Sequence, residues 1–373
     1  MKRSTERLLT THTGSLPRPG ALSQTPPEGY DGALRAAVSE VVRRQVEAGI
    51  DVVSDGEMSK PTYATYITER ASGFGGQGTG IGAARDALDF PEWGEAQRAA
   101  TDQILATPAC TDAVRRTDKD SVIRDIANLK DAAGQSGAVD CFMTAASPGV
   151  ISHFLENQYY LSHDEYLQAL SEVMRGEYEA IHNAGVTLQL DCPDLAGGRS
   201  TVFSDLGIDD FKTAIRHHVE VLNEATANIP AEDMRLHLCW GNYEGPHNHD
   251  VPLREILEIV LGARPAAISF EAANPRHEHE YTIFGEISLP DDKVIIPGVI
   301  DSTTNYIEHP ELVAQRLLRF TELVGPERVI GGTDCGFATF SHLVPVFPSI
   351  AYAKLASLAE GAKLASQRIW SRC

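Results

Sequence analysis

A chain of 373 residues with a formal net charge of -20 repels nucleic acid and anionic membranes alike, so small molecules are its expected partners. Its 42% hydrophobic and 23% charged residues suffice for one large core, and no apolar run approaches the roughly 20 residues that span a bilayer. Six cysteines spread over this length, with no signal peptide, point to reduced thiols in the cytoplasm rather than a disulfide framework. An assembly of identical chains is compatible with all of this.

In chain order, Leu8–Ser15 is a short β-rich run and the first strand candidate. Asp31 to Ala48 carries a helical stripe of Leu34, Val38, Val41, Val42 and Val46, stopped by Gly49. A second strand, Ile50–Glu57, ends in polar residues. Residues 58–120 break the pattern and are expected to be an insertion or lid within a single domain covering 1–373. Its Gly73–Gly82 stretch is too glycine-rich for a regular element. Nothing like Lys-Ser/Thr follows it, so a loop is favoured over a phosphate cradle.

After the insertion, helix and strand alternate. Helices are expected near 121–133, 163–184, 209–228, 251–261, 310–324 and 349–365. The strands between them are Cys141–Ala146, Val186–Asp191, Leu236–Trp240, Ala267–Glu271, Val294–Ile300 and Val329–Cys335. Eight strand candidates separated mostly by helices predict an α/β chain folded as a (β/α)8 TIM barrel, with function at the carboxyl ends of the strands. A doubly wound open sheet is the alternative.

The chemistry concentrates in Leu236-His-Leu-Cys-Trp-Gly-Asn242. On a strand, side chains two apart share a face, so His237 and Cys239 form a two-ligand clip for a borderline-soft ion such as zinc. A bare His-x-Cys is more often buried filling than ligand. Here, however, Glu57, Asp191, Glu271, Asp301, Asp334 and Cys335 also fall at strand ends, where barrel enzymes keep their reactive groups. Two histidine pairs, His247/His249 and His277/His279, lie on the loops that follow. They are expected to contact substrate or support the metal ligands rather than to hold a second ion.

These residues resemble the catalytic barrel of cobalamin-independent methionine synthase and its shorter relatives, which include the epoxyalkane:coenzyme M transferases. The motifs are Thr13-Gly-Ser15-x-Pro17, Gly56-Glu57, Gln189-Leu-Asp191, His237-x-Cys239, Glu271, Pro297-Gly-Val-x-Asp301 and Asp334-Cys-Gly336. The resemblance implies one Zn²⁺ bound by His237, Cys239, Glu271 and Cys335, with Glu271 the exchangeable ligand. It also implies an amino-acid thiol bound near Ser15, Glu57 and Asp191, and catalytic roles for Asp301 and Glu271. A metal-held thiol is deprotonated and ready to attack an alkyl donor.

The chain departs from that family in two places. No His follows Gly298-Val-Ile-Asp301, and Ala145-Ala-Ser-Pro-Gly149 holds no Trp where the folate ring would stack. Both departures bear on the donor and leave thiol activation intact. Three functions therefore stand open. The first is a methyltransferase of methionine biosynthesis acting on a homocysteine-like thiol. The second is thiol addition to an epoxide or its reverse, C–S cleavage, with Arg18 or Arg199 holding the sulfonate of coenzyme M. The third is a barrel that binds zinc or thiol without catalysis.

Overall fold

The structure, a computed structural model, describes residues 1–20, 22, 27–82, 84–97, 107–340 and 345–371. Seven strands form one curled parallel sheet: β1 (Val52–Val53), β4 (Asp140–Ala146), β5 (Thr187–Asp191), β6 (Met234–Leu238), β7 (Ala267–Glu271), β8 (Val294–Ile300) and β9 (Gly332–Thr333), in that spatial order. The two remaining strands, β2 (Ala71–Gly75) and β3 (Ala109–Arg116), pair antiparallel and separately. Strands β4 to β8 are buried along nearly their whole length and rich in aliphatic side chains, as a parallel sheet covered by helices requires.

The expected first strand is not one. Leu8–Ser15 contributes a single bridge residue, Thr10, yet that segment reaches both edges of the sheet. Thr11 N–H donates to Gly331 and Gly331 N–H to Leu9, each at 2.8 Å, while Val52 N–H donates to Thr10 at 3.0 Å. What the described strands show is therefore an α/β fold with a curled seven-stranded parallel sheet.

Each connection carries the helix that the 3.6-residue spacing announces. Asp120–Ser136, His163–Asn183, Ile208–Ala225, Leu253–Leu261, Pro310–Val324 and Pro348–Trp370 lie within a few residues of their expected bounds. The first helix runs Pro27–Glu47 and ends in a tight turn: Gly49 adopts φ 88°, and Ile50 N–H bonds back to Gln45. Only glycine takes that conformation cheaply, and it delivers the chain directly into β1.

Within 58–120 the glycine-rich stretch corrects the expectation. β2 runs through Gly73 and Gly75 rather than a loop, and Gly73 sits at a β-bulge with φ 98°. A side chain there would lie 2.8 Å from the carbonyl oxygens of Asp112 and Ala113, so the glycine is what lets the strands meet. Further on, Asp86 and Asp89 tie this region to the chain after β6. Asp86 accepts from Tyr243 O–H and His247 N–H, both at 2.8 Å, and Asp89 from Asn248 and His249, both at 2.7 Å. Among the described residues no helix is long and apolar enough to cross a membrane.

Candidate metal centre

Strand register brings the reactive residues together. Asp191 on β5 lies beside His237 on β6, and β6 pairs in turn with β7, which ends at Glu271. Cys335 follows β9 on the sheet's far edge. One ligand atom each from His237, Cys239 and Cys335 falls within a 4.8 Å cluster, and all three residues are buried. The two sulfurs stand 3.1 Å apart as free thiols, beyond the length of a disulfide.

The donor set fits zinc: two soft sulfurs, one imidazole, and a His237 Nδ1 that is buried without a hydrogen-bond partner. Burial, with Arg235 nearby, lowers His237 to about 3, so the ring is neutral and its nitrogen lone pair is available. Although the hydrogen bond with Cys335 favours its thiolate, burial and Glu271 push Cys239 up to about 11. Burial and Cys239 raise Cys335 as well. A cation is what this pair lacks.

Glu271 stands beside the cluster. Its Oε1 is 3.5 Å from Cys335 Sγ and accepts the Trp240 N–H at 2.7 Å, while Oε2 accepts from Asn274 at 2.8 Å. Asp334, adjacent to Cys335, accepts from the N–H groups of Ala272, Ala273 and Asn274 at 2.8 to 2.9 Å. It clamps the end of β7 to the end of β9, and so fixes Glu271 against Cys335.

His237, Cys239 and Cys335 line a cavity of about 770 Å³, and Glu271 and Asp334 stand behind that wall. Thr13, Ser15, Glu57 and Asp191 line it too, as do Ile81, Ala87 and Trp93 of the 58–120 region. Glu57 is held at φ 58°, a conformation that costs a non-glycine residue of order 1–3 kcal/mol and marks positions fixed for function. It caps no helix. Its Oε1 accepts from Thr144 at 3.3 Å and its Oε2 is buried without a partner. Gly14 makes room, because a Cβ there would lie 2.5 Å from Glu57 Oε1. Ser15 seats against Gly336 just as closely, its Oγ 2.0 Å from where a Cβ would stand.

Asp191 caps no loop either. Its Oδ1 accepts from Gln189 at 2.7 Å, and Gln189 Oε1 accepts from the buried Arg235 at 2.6 Å. Burial, then repulsion from Glu57, pushes Asp191 up to about 8. Burial also raises Glu57, against the pull of Lys60 and Arg18. Two carboxylates on one cavity thus share an unmet demand for positive charge.

Other expected residues lie elsewhere. Asp301 lines no part of the cavity; its two oxygens accept from the backbone and hydroxyls of Thr303 and Thr304, making it the cap of that loop. Arg18 donates to the carbonyls of Glu57 and Ala338, and Arg199 to those of Phe203 and Ser204; neither lines the cavity. Of the paired histidines, His279 is exposed and His249 bonds Asp89. His247 and His277 share Asp250 Oδ2 at 2.8 and 2.9 Å. His277 also bonds Glu280 at 2.8 Å and stacks on Trp240 at 4.3 Å. Burial opposes its charge, yet Asp250 and Glu280 hold His277 up at about 10, a cation that braces the Trp240 whose N–H fixes Glu271. Sequence reasoning singled out His237, Cys239 and Cys335, which the structure brings together, and missed these supports: Gln189 and Asp334 stood in quoted motifs without a role, and Arg235 in none.

No protein-family model matches the chain. Curated methionine synthases are similar to it along nearly their whole length. The protein of Thermococcus kodakarensis is 24% identical over 376 residues, covering 97% of this chain and 94% of that one. The protein of Sulfolobus acidocaldarius is 26% identical over 372 residues, covering 97% and 93%. Among solved structures, a B12-independent methionine synthase from Shewanella sp. W3-18-1 in complex with selenomethionine superposes with a TM-score of 0.78 at 20% identity, covering 98% of this chain and 99% of that one. A putative vitamin-B12 independent methionine synthase from Listeria monocytogenes gives 0.63 at 19%, with the same coverage.

Proposed function

From the likeness to curated methionine synthases over 97% of the chain, we propose that this protein is a zinc-dependent S-methyltransferase acting on a homocysteine-like aminothiol. The observation that carries the reading is the convergence of His237, Cys239 and Cys335 on one cavity shared with Glu57 and Asp191. We read the link of Leu9, Thr10 and Thr11 to both sheet edges as the eighth stave of a (β/α)8 barrel, and residues 58–120 as the lid over its carboxyl end.

His237, Cys239 and Cys335 would hold zinc, with Glu271 the weaker fourth ligand. Zinc when bound supplies the positive charge that keeps a substrate thiol deprotonated at neutral pH. The chain's own residues do the rest. Glu57 and Asp191 receive the substrate ammonium, and Ser15, seated on Gly336, shapes the wall between that ammonium and the sulfurs. The Trp240 N–H, Asn274 and the Asp334 clamp hold Glu271 at the rim of the ligand set, so that its withdrawal leaves the other three in place. Rings and lid exclude water from the attacking sulfur.

Glu271→Gln is expected to retain the metal while turnover falls by at least tenfold. Metal analysis beside steady-state kinetics checks this, and an apo variant would make Glu271 an indispensable ligand. Charge also sets thiol selectivity. One ammonium–carboxylate contact at about 4 Å is worth roughly 4 kcal/mol at an effective dielectric near 20, and about 1–2 once desolvation is subtracted. Homocysteine should therefore bind about five- to thirtyfold tighter than coenzyme M, which presents a sulfonate to the same acids. Asp191→Asn should narrow that gap. Tighter binding of coenzyme M by calorimetry would instead support the thiol-addition reading, for which neither Arg18 nor Arg199 is placed.

A further inference from the structure

The cavity walls bear on where the methyl group comes from. Among the described residues that line it there is no Lys or Arg, but there are four carboxylates: Glu57, Asp191, Asp194 and Glu244. The nearest buried cations turn elsewhere: Lys60 Nζ donates to the carbonyl and hydroxyl of Thr144 at 2.5 and 3.0 Å, and Arg18 to backbone carbonyls. Asp194 is held ionised; burial opposes its charge, but hydrogen bonds from His218 and Ser147 at 2.9 Å keep it below the ordinary carboxylate range. A donor carrying phosphates or a polycarboxylate tail would set its charge beside the ionised Asp194, with no cation on the described walls to meet it.

Three aromatic rings, one from each of three segments, form a cluster in the same cavity. Tyr63 stands edge-on to Phe154 at 5.7 Å and to Phe340 at 6.2 Å, and Phe154 lies 6.5 Å from Phe340. A bridge between Thr62 and Phe340 fixes two of them side by side. Tyr63, Phe154 and Phe340 line the same cavity as Cys239, Cys335, Asp191 and Asp194. Ring faces beside ionised carboxylates are what recognises a permanently charged onium centre.

Resting on the thiol-methylation reading above, we propose that the methyl donor is a sulfonium compound, its positive sulfur lying against the cluster of Tyr63, Phe154 and Phe340 with one methyl turned toward Cys239 and Cys335. The substrate thiolate sulfur attacks that methyl carbon. The carbon's bond to the donor sulfur breaks, and its electron pair stays on that sulfur. Thiolate and sulfonium become two neutral thioethers, and no proton is taken up by the leaving group. His153, the histidine that lines the cavity beside Phe154, is accordingly neutral: burial, then His218, lowers it to about 3. Because opposite charges cancel in the transition state, a dry aromatic cavity favours the step over water.

The test uses the full zinc-loaded chain with homocysteine and, in turn, S-methylmethionine and S-adenosylmethionine carrying a deuterated methyl group. Labelled methionine is expected by mass spectrometry from at least one of them. Calorimetry should show that donor binding at least tenfold tighter than its neutral thioether counterpart. Tyr63→Leu and Phe154→Leu should each weaken it at least fivefold and Tyr63→Phe should restore it, while homocysteine still shifts the visible bands of the cobalt-substituted protein. Transfer from a methylfolate but from neither sulfonium, or equal affinity for sulfonium and thioether, overturns the donor assignment and leaves the thiol reading standing. Absence of the homocysteine shift would overturn both.

Discussion

A Cys239→Ser, Cys335→Ser double variant is expected to emerge from purification and dialysis with essentially no zinc, where the parent chain holds about one ion per molecule. The two thiols supply two of the three clustered ligand atoms, and hydroxyls are far poorer zinc ligands than thiolates. Neither sulfur bears on the aliphatic packing that joins the strands to their helices, so the variant should remain folded. Circular dichroism beside elemental analysis separates loss of metal from loss of fold. Zinc retained at parent levels would place the ion elsewhere.

Arg70→Ala is expected to produce the largest loss of stability from a single substitution outside the metal cluster, about 3–5 kcal/mol. Arg70 lies just before β2, its side chain only 7% exposed, and it bonds Asp125 at 2.7 Å and Glu177 at 3.1 Å. Glu177 also accepts from Tyr66 O–H at 2.6 Å. These contacts pin the 58–120 region to two of the helices that flank the sheet, and truncation leaves buried Glu177 without its ion-pair partner and Asp125 with Arg124 alone. Burial opposes the charge of Glu177, but Arg70 holds its pKa below the ordinary range. Its contribution is therefore present above about pH 4.3 and lost as pH falls through the depressed value. The deficit of the variant should be greatest at neutral pH and shrink in acid, which chemical denaturation at several pH values measures. A uniform deficit would assign it to lost packing alone.

The sequence was most legible where a period repeats. Helices such as His163–Asn183 and Pro310–Val324 follow their apolar stripes, and β4 to β8 follow their aliphatic runs. The His-x-Cys clip was legible for the same reason, since a strand's two-residue period puts both side chains on one face. The first segment was not, because its pairing is a matter of tertiary contact: Thr10 bonds one sheet edge and its neighbours Leu9 and Thr11 the other, without the extended run that defines a strand. Gly73–Gly82 misled because glycine breaks isolated strands yet is required at a bulge where two backbones approach closely. Asp301 misled because an acid at a strand end either faces the cavity or folds back on its own loop, and only the structure distinguishes the two. Glu57 and Asp191 did face the cavity, one in a strained backbone and the other tethered through Gln189 to Arg235.

The claim that the cluster of His237, Cys239 and Cys335 serves to bind a substrate thiol is tested most directly by titrating the cobalt-substituted protein with homocysteine and following its visible spectrum. The account predicts a saturable change in the sulfur-to-metal bands that methionine, which has no thiol, does not produce, and that vanishes in the Cys239→Ser, Cys335→Ser variant. A spectrum indifferent to homocysteine would contradict it, leaving a metal site built for structure alone.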